Sequence, residues 1–253
     1  MKYAVCQVSV APLRADQSDR SEMVSQILFG EKVEILDKKN NWIKIKADYD
    51  DYEGWADFKH FLVISDVEFQ TMNSLHYASE GFNLAIDEDM PLTLPIASVL
   101  PNLENGKIKF GTKEMDYLGE FQTGKFTKES IPNLAFQYLN TPYLWGGKSV
   151  FGIDCSGFVQ QVYKFCGYKL PRDAYQQAEL GEALSFIEEA EPGDLAFFDN
   201  SDGKIIHVGI ILEGNKIIHA HGKVRIDPID ITGIFNRDLQ NYSHKLRVIK
   251  KIL

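Results

Sequence analysis

The chain reads Asp154-Cys155-Ser156-Gly157-Phe158-Val159 at the point that decides its fold. From Cys155 to Cys166, apolar residues recur at spacings of three and four, which predicts a helix with one apolar face. Asp154 is a suitable N-cap for this helix. Cys155 then falls in the first turn, where the helix dipole and unpaired backbone N–H groups favour thiolate over thiol and can receive an oxyanion. The stretch therefore predicts a nucleophilic cysteine, whereas Cys6 and Cys166 fit a small buried hydrophobic side chain better.

A thiol nucleophile needs a partner that accepts and returns its proton, and the sequence offers histidines in a predicted hairpin. Its strands read Ile205-Ile206-His207-Val208-Gly209-Ile210-Ile211-Leu212 and Lys216-Ile217-Ile218-His219-Ala220-His221. With a three-residue loop between the strands, Leu212 opposes Lys216. His207 then lies diagonal to His219, with about 7 to 8 Å between their backbones across the two strands. A two-residue turn instead places these two histidines on opposite faces. The pattern alone leaves both registers open.

The register also decides which side chains the hairpin buries. With the three-residue loop, His207, His219 and His221 share one face of the hairpin. The side predicted to face the core then consists of Ile206, Val208, Ile210, Ile218 and Ala220. The remaining histidines, His60, His76 and His244, are expected to have structural roles.

Zinc is a rival use for Cys155 and the three hairpin histidines, since thiolate and imidazole both suit that metal. However, the sequence has no CxxC or HExxH pair that would anchor such a site. We therefore predict no metal and no cofactor, and a role for Cys155 in covalent catalysis.

Composition limits the classes of partner. The 253 residues are 44% hydrophobic and 25% charged, as in ordinary globular proteins. The formal net charge of −9, without a cluster of basic residues, argues against nucleic acid as a partner. No run approaches the roughly 18 apolar residues of a membrane span, and the chain as given shows no signal peptide. We expect a cytoplasmic protein without a membrane partner; the sequence does not predict its oligomeric state.

Three segments differ in their patterns. Residues 1–65 alternate apolar and polar positions between turns, which predicts a small antiparallel barrel. Residues 66–125 are rich in turn signals and fit either a second, degenerate barrel or an irregular spacer. Residues 126–253 combine helical spacing with long apolar strands and predict an α+β domain. A helix entered through Pro132 is expected between residues 131 and 139.

Four motifs in the third segment resemble those of the NlpC-type cell-wall cysteine peptidases. They are Asp154-Cys155-Ser156-Gly157-Phe158-Val159, Pro192-Gly193-Asp194-Leu195, His207-Val208-Gly209-Ile210 and Ile218-His219-Ala220. The resemblance covers about residues 130 to 225 and implies a papain-like fold. It also implies that Cys155 is the nucleophile, His207 the base and His219 the orienting residue, with His221 in reserve. It thereby favours the three-residue loop.

The first segment, with Gly54-Trp55 opening a late strand, resembles bacterial SH3-like domains. The combined architecture is similar to the γ-D-glutamyl-L-diamino acid endopeptidases, also called dipeptidyl-peptidase VI. This resemblance implies hydrolysis of murein tri- or tetrapeptides with a free N-terminal L-alanine. The residues that it assigns to substrate binding are Glu22, Tyr52, Tyr143, Asp154, Ser156 and Asp173. Of these, it assigns Glu22, Tyr52 and Asp173 to the free amino group of the substrate. Ala174 stands where relatives often carry serine.

Two other functions fit parts of the pattern. A wall-targeting protein would use its barrels to bind murein and leave the Cys155 site idle. An amidase or acyltransferase would form the same thioester at Cys155 and transfer the acyl group to another acceptor. The sequence does not distinguish lysine from diaminopimelate as the diamino acid.

Overall fold

The computed structural model describes residues 2–72, 75–123 and 126–253. It divides into two units, the first formed by residues 2–123 with Trp145–Phe151, and the second by residues 126–144 with Gly152–Leu253. Residues 145–151 of the predicted peptidase segment thus group with the N-terminal unit. The predicted boundary between residues 125 and 126 lies at the edge of the described residues, because residues 124 and 125 are outside them.

Antiparallel strands build the chain between residues 3 and 64, as the alternating pattern predicts. They are β1 Tyr3–Cys6, β2 Val10–Arg14, β3 Met23–Leu28, β4 Lys32–Lys39, β5 Trp42–Ala47, β6 Glu53–Asp57 and β7 Phe61–Ile64. Their order in the sheet is β3-β2-β6-β5-β4-β1-β7. Alternate residues of β5, namely Ile43, Ile45 and Ala47, are buried in one core. Gly54 lies so close to Leu13 that a Cβ atom would stand 2.6 Å from the Leu13 Cγ atom, which explains the glycine of the Gly-Trp pair.

The chain between residues 66 and 123 forms short strands after one helix. The elements are α1 Asp66–Thr71, β8 His76–Ala78, β9 Phe82–Asp87, β10 Met90–Pro95, β11 Lys107–Phe110, β12 Lys113–Leu118 and β13 Phe121–Thr123. Strands β10-β9-β12-β11 form one sheet, and β13 pairs with β8. The helix was not expected, although Ser65 and Glu68 form the reciprocal capping pair that marks a helix start. The segment is built from paired strands rather than an irregular spacer.

The remaining elements follow from residue 126 onward. The helices are α2 Ile131–Phe136, α3 Cys155–Phe165 and α4 Ala174–Gln177. The strands are β14 Lys148–Ser149, β15 Gly152–Ile153, β16 Glu182–Ala183, β17 Leu195–Asp199, β18 Ile205–Leu212, β19 Lys216–His221, β20 Lys223–Pro228, β21 Gly233–Asn236 and β22 Asn241–Lys251. Helix α2 begins with Ile131-Pro132 as predicted and ends three residues earlier than expected.

An antiparallel sheet forms the centre of the second unit. Its strand order is β16-β22-β17-β18-β19-β20, and β21 pairs with β22. Helices α3 and α4 pack against β18, and the predicted α+β class is confirmed. The described residues include no helix of the length and apolarity required to cross a membrane.

Candidate active site

Helix α3 begins at Cys155, as its sequence predicts. Asp154 has extended backbone angles (φ −94°, ψ 177°), and its Oδ1 atom accepts a hydrogen bond of 2.7 Å from the Gly157 N–H group. This is the geometry of an N-cap, and it confirms the predicted helix start. The cap fixes Cys155 in the first turn, where its side chain is only slightly exposed.

A buried arginine holds the cap in place. Arg172 donates two hydrogen bonds to the Asp154 carboxylate, of 3.0 Å from Nη1 and 2.6 Å from Nη2, and a third of 2.9 Å to the Ser156 hydroxyl. All three residues are buried. Asp154 and Ser156, which the resemblance assigns to substrate binding, are therefore also joined to each other through Arg172. The sequence motifs did not single out Arg172, although it directly precedes Asp173.

The loop that carries Arg172 and Asp173 is tied to helix α3 by Gln177. The Gln177 side chain donates hydrogen bonds to the carbonyl oxygens of Ser156 and Pro171, at 3.1 and 2.9 Å. Asp173 precedes helix α4 as its N-cap, is partly exposed, and donates its backbone N–H to the Gln176 side chain. The contacts hold the segment of Asp173 against the start of the helix that carries Cys155.

Replacing Arg172 with methionine is expected to lower the free energy of unfolding by about 3 to 5 kcal/mol, because it leaves the buried Asp154 carboxylate without its cationic partner. Urea unfolding of the purified protein measures this loss. The matched control is Lys251→Met, since Lys251 forms a 3.5 Å ion pair with Glu191 in which the side chains are 45% and 60% exposed. That pair contributes about 0 to 1 kcal/mol. Equal losses in the two variants would contradict the importance of the buried pair.

The thiol of Cys155 is in its neutral form in the resting protein. Burial, followed by the negative charge of Asp154, raises the pKa of Cys155 to about 12. Hydrogen bonds from the backbone N–H groups of Val208 and Ser156 lower that pKa without offsetting the burial. The N–H group at the helix terminus thus acts in the expected direction, but removal of the thiol from water is the larger effect and raises the pKa. The thiol has to lose its proton when it attacks.

The hairpin has the three-residue loop. Strands β18 and β19 pair with Leu212 opposite Lys216 and Gly209 opposite His219, so the register of the three-residue loop is confirmed. On the side predicted to face the core, Val208, Ile210, Ile218 and Ala220 are buried. Ile206 is 54% exposed, so its assignment to the core is wrong. It lies next to the first residue of β18, before the pairing with β19 begins.

His207 and His219 form a direct hydrogen bond. The Nε2 atom of His207 lies 2.8 Å from the Nδ1 atom of His219, and both side chains are buried. The Nε2 atom of His219 lies 3.0 Å from Oδ2 of Asp227 on β20. Burial lowers the pKa of both histidines, that of His207 to well below its usual range, so both rings are neutral near pH 7. The histidines and Asp227 thus form a continuous buried chain of hydrogen bonds.

A further histidine packs on the ring of His207. His244 on β22 stacks on it with 4.0 Å between ring centroids and 21° between ring planes. Ring nitrogens of His207, His219 and His244 lie within 4.8 Å of one another, which is close enough to consider a metal ion. However, nitrogen lone pairs lie in the ring plane, so two stacked rings do not point at a common centre. The stacked rings fit a hydrogen-bonded relay better than a metal ion held by these three histidines.

Tyr143 lies near the thiol, as the resemblance implies. Burial, together with negative charge on Cys155 and Asp154, raises the pKa of the Tyr143 hydroxyl to about 12. The hydroxyl therefore keeps its proton near neutral pH and can donate a hydrogen bond.

The predicted substrate residues Glu22 and Tyr52 belong to the first unit. Glu22 is exposed, and its carboxylate accepts a hydrogen bond of 2.7 Å from the indole Nε1 of Trp145, a residue of the same unit. Tyr52 is half-buried and packs against the core of the strands between residues 3 and 64. Their roles in substrate binding stay predictions.

A cysteine at the first turn of a helix, whose thiol meets the backbone N–H of the residue after His207, and a hydrogen-bonded histidine pair on an antiparallel sheet are features of the papain-like class of cysteine peptidases. The chain belongs to the NlpC/P60 family. The profile of that family matches residues 140–242. The profile of the bacterial dipeptidyl-peptidase SH3 domain matches residues 13–60. The resemblance inferred from the motifs is therefore confirmed for both parts of the chain.

Similar proteins share most of the chain. A γ-D-glutamyl-L-lysine dipeptidyl-peptidase of Bacillus subtilis is 32% identical over 215 residues, which are 78% of this chain and 71% of that protein. Dipeptidyl-peptidase 6 of Lysinibacillus sphaericus is 26% identical over 257 residues, covering 90% of this chain and 92% of that protein. The crystal structure of an NlpC/P60 family protein from Bacillus cereus aligns over 99% of both chains with a TM-score of 0.84 and 21% identity, which shows a shared fold.

Proposed function

We propose that this cysteine peptidase hydrolyses the bond between γ-D-glutamate and an L-diamino acid in murein tri- or tetrapeptides that have a free N-terminal L-alanine. The observation that carries the proposal is the 2.8 Å hydrogen bond between His207 on β18 and His219 on β19. The backbone N–H of Val208, the residue after His207, contacts the Cys155 thiol. The names of the two curated relatives support the substrate. We take free peptides from wall recycling, rather than intact wall, as the substrate.

Cys155 is the nucleophile and His207 the general base in this proposal. The Cys155 Sγ atom attacks the γ-carbonyl carbon of D-glutamate while the thiol proton moves to the Nδ1 atom of His207. Low pKa values of the two histidines keep His207 unprotonated before the attack. His219 orients the His207 ring through its hydrogen bond to Nε2.

Donors for the developing oxyanion come from the start of helix α3 and from Tyr143. The Gly157 N–H is already bonded to Asp154, and the Ser156 N–H faces the Cys155 sulfur. This leaves the N–H of Cys155 itself as the helix donor that we assign to the oxyanion. The protonated Tyr143 hydroxyl is a second donor near the thiol.

Breakdown of the tetrahedral intermediate completes the first half of the reaction. The carbon–nitrogen bond breaks, and the proton held by His207 passes to the amino group of the departing diamino acid. The L-Ala-γ-D-Glu acyl group remains on Cys155 as a thioester. Water then attacks the thioester carbonyl, gives a proton to His207, and releases the dipeptide as the sulfur recovers that proton.

Mass spectrometry of the products tests this function. L-Ala-γ-D-Glu-L-Lys and its diaminopimelate counterpart are incubated separately with the pure protein. We expect L-Ala-γ-D-Glu and the free diamino acid from one or both peptides, and the rate ratio gives the preferred diamino acid. Release of alanine alone, or no cleavage by a folded protein, would overturn the proposal. An added primary amine that captured the dipeptide in place of water would identify acyl transfer.

A further inference from the structure

The buried carboxylate of Asp227 ends the chain of hydrogen bonds that begins at His207. Asp227 lies on β20, where its residue is 1% exposed. Its Oδ2 atom lies 3.0 Å from Nε2 of His219 and accepts a 2.6 Å hydrogen bond from Nε of Arg225. Its Oδ1 atom accepts a 2.9 Å hydrogen bond from Nη2 of Arg225. The sequence motifs singled out neither residue.

These contacts determine where each ring proton lies. An ionised carboxylate only accepts hydrogen bonds, so the proton of neutral His219 must be on Nε2, which faces Asp227. The Nδ1 atom of His219 is then bare and accepts from Nε2 of His207. Neutral His207 therefore carries its proton on Nε2, and its Nδ1 atom keeps a lone pair. That lone pair is what the thiol proton of Cys155 needs.

We propose that Asp227, held by Arg225, is a positioning residue that sets the tautomers of His219 and His207 and so keeps His207 Nδ1 free to act as the base. The inference rests on the proposed roles of Cys155 and His207. It adds that the position of the proton on the base, His207, is determined by Asp227, which is two hydrogen bonds away from it.

The alternative tautomer shows why the carboxylate matters. If His219 carried its proton on Nδ1, it would donate to His207, whose Nε2 atom would become the acceptor. The proton of His207 would then lie on Nδ1, and the ring could not take a proton from Cys155. Among neutral rings in the observed arrangement, only the tautomer selected by Asp227 supports general-base catalysis.

Arg225 helps to keep the Asp227 carboxylate ionised. Although burial acts to raise the pKa of Asp227, hydrogen bonds from His219 and Arg225 lower it to about 2. Arg225 is itself anchored by Asp238, at 2.8 Å, and the Asp238 side chain is 74% exposed. Asp227 therefore remains a carboxylate at any pH at which a peptidase of this kind works, whereas Asp238 lies outside the relay.

The tautomers can be measured directly by ¹⁵N NMR of histidine-labelled wild-type protein. We expect both His207 and His219 to carry the proton on Nε2, with the Nδ1 shifts typical of an unprotonated nitrogen. A proton on His219 Nδ1 would overturn the proposal without any variant having to fold. If the tautomers are as expected but Cys155→Ala keeps its activity, the proposed function fails while the tautomer assignment stands.

Variants test the causal role of the carboxylate. Asp227→Ala and Asp227→Asn are expected to lower kcat by about 10- to 100-fold, as when carboxylates that orient functional histidines are removed, with little change in KM. In Asp227→Ala the His207 Nδ1 signal should move toward the protonated form. The control is Asp202→Asn, at an exposed turn residue outside this network, which should leave the tautomers and kcat unchanged. Unchanged tautomers and kcat in both Asp227 variants would overturn the inference.

Discussion

Cys155→Ala is expected to abolish hydrolysis of murein peptides, with a fall in kcat on the order of a millionfold, as when the nucleophile of another covalent hydrolase is removed. The reason is that no thioester can form without the sulfur, even when the His207 base is intact. Cys155→Ser should also be inactive, because the relay of His207 and His219 would then have to deprotonate a poorer nucleophile. Cleavage of L-Ala-γ-D-Glu-L-Lys followed by mass spectrometry measures both variants.

Cys166→Ala is the matched control, since Cys166 is a buried cysteine at the other end of the same helix. We expect it to cost about 0.5 to 3 kcal/mol of unfolding free energy, the usual range for a substitution in the core, while kcat stays near the wild-type value. Retention of most activity in Cys155→Ala, or its loss in Cys166→Ala at full folding, would contradict the assignment of the nucleophile.

The protonation state of Cys155 gives this prediction a second readout. With a pKa of about 12, the thiolate fraction rises with pH across the neutral range. Alkylation of Cys155, followed by peptide mass mapping, should therefore accelerate by about tenfold per pH unit between pH 6 and 9. A rate that reached a plateau below pH 8 would show a preformed thiolate and imidazolium pair, contrary to the burial of both groups.

Local signals in the sequence were sufficient for the elements that present the predicted catalytic residues. The cap at Asp154 and the spacing of the apolar residues after Cys155 determine helix α3, because caps and periodicity act within a few residues. The hairpin register was open from the pattern alone, and the motif resemblance favoured the register that the structure has. Its diagonal geometry then brings His207 and His219 into contact.

The partners of those residues could not be predicted in the same way. Arg172 meets Asp154 across 18 residues, and Asp227 meets His219 from the next strand of the sheet. Such pairs depend on tertiary register, which no local pattern specifies. The neutral thiol of Cys155 also depends on tertiary structure, because burial by residues distant in sequence is the main cause of its raised pKa.

The second large effect concerns the amino end of the substrate. N-acetylation of L-Ala-γ-D-Glu-L-Lys is expected to lower kcat/KM on the order of a thousandfold. The resemblance assigns Asp173 and Glu22 to the free amino group. When a substrate without an ammonium group removes such a carboxylate from water, the unpaired charge costs several kcal/mol of binding free energy. The chain should thus cut free peptides and spare those still attached to muramic acid.

Asp173→Asn tests one carboxylate with little disturbance of the fold, because asparagine caps a helix as well as aspartate does. It should lower kcat/KM for the free peptide and shrink the ratio between free and acetylated peptides. Its control in the same unit is Asp202→Asn, an exposed turn residue. The rate of Cys155 alkylation should stay nearly constant in both variants, which separates loss of amine binding from damage to the nucleophile.

Glu22→Gln is the corresponding variant in the first unit. Glutamine keeps an oxygen that can accept the hydrogen bond from Trp145, so only the negative charge is removed. If Glu22 binds the ammonium group, this variant should reduce the preference for the free peptide, whereas Glu53→Gln on the exposed side of β6 should not. If the wild-type protein cleaved free and acetylated peptides with equal kcat/KM, no carboxylate would bind the amino group of the substrate. The protein would then be an endopeptidase able to act on peptides that remain attached to the wall.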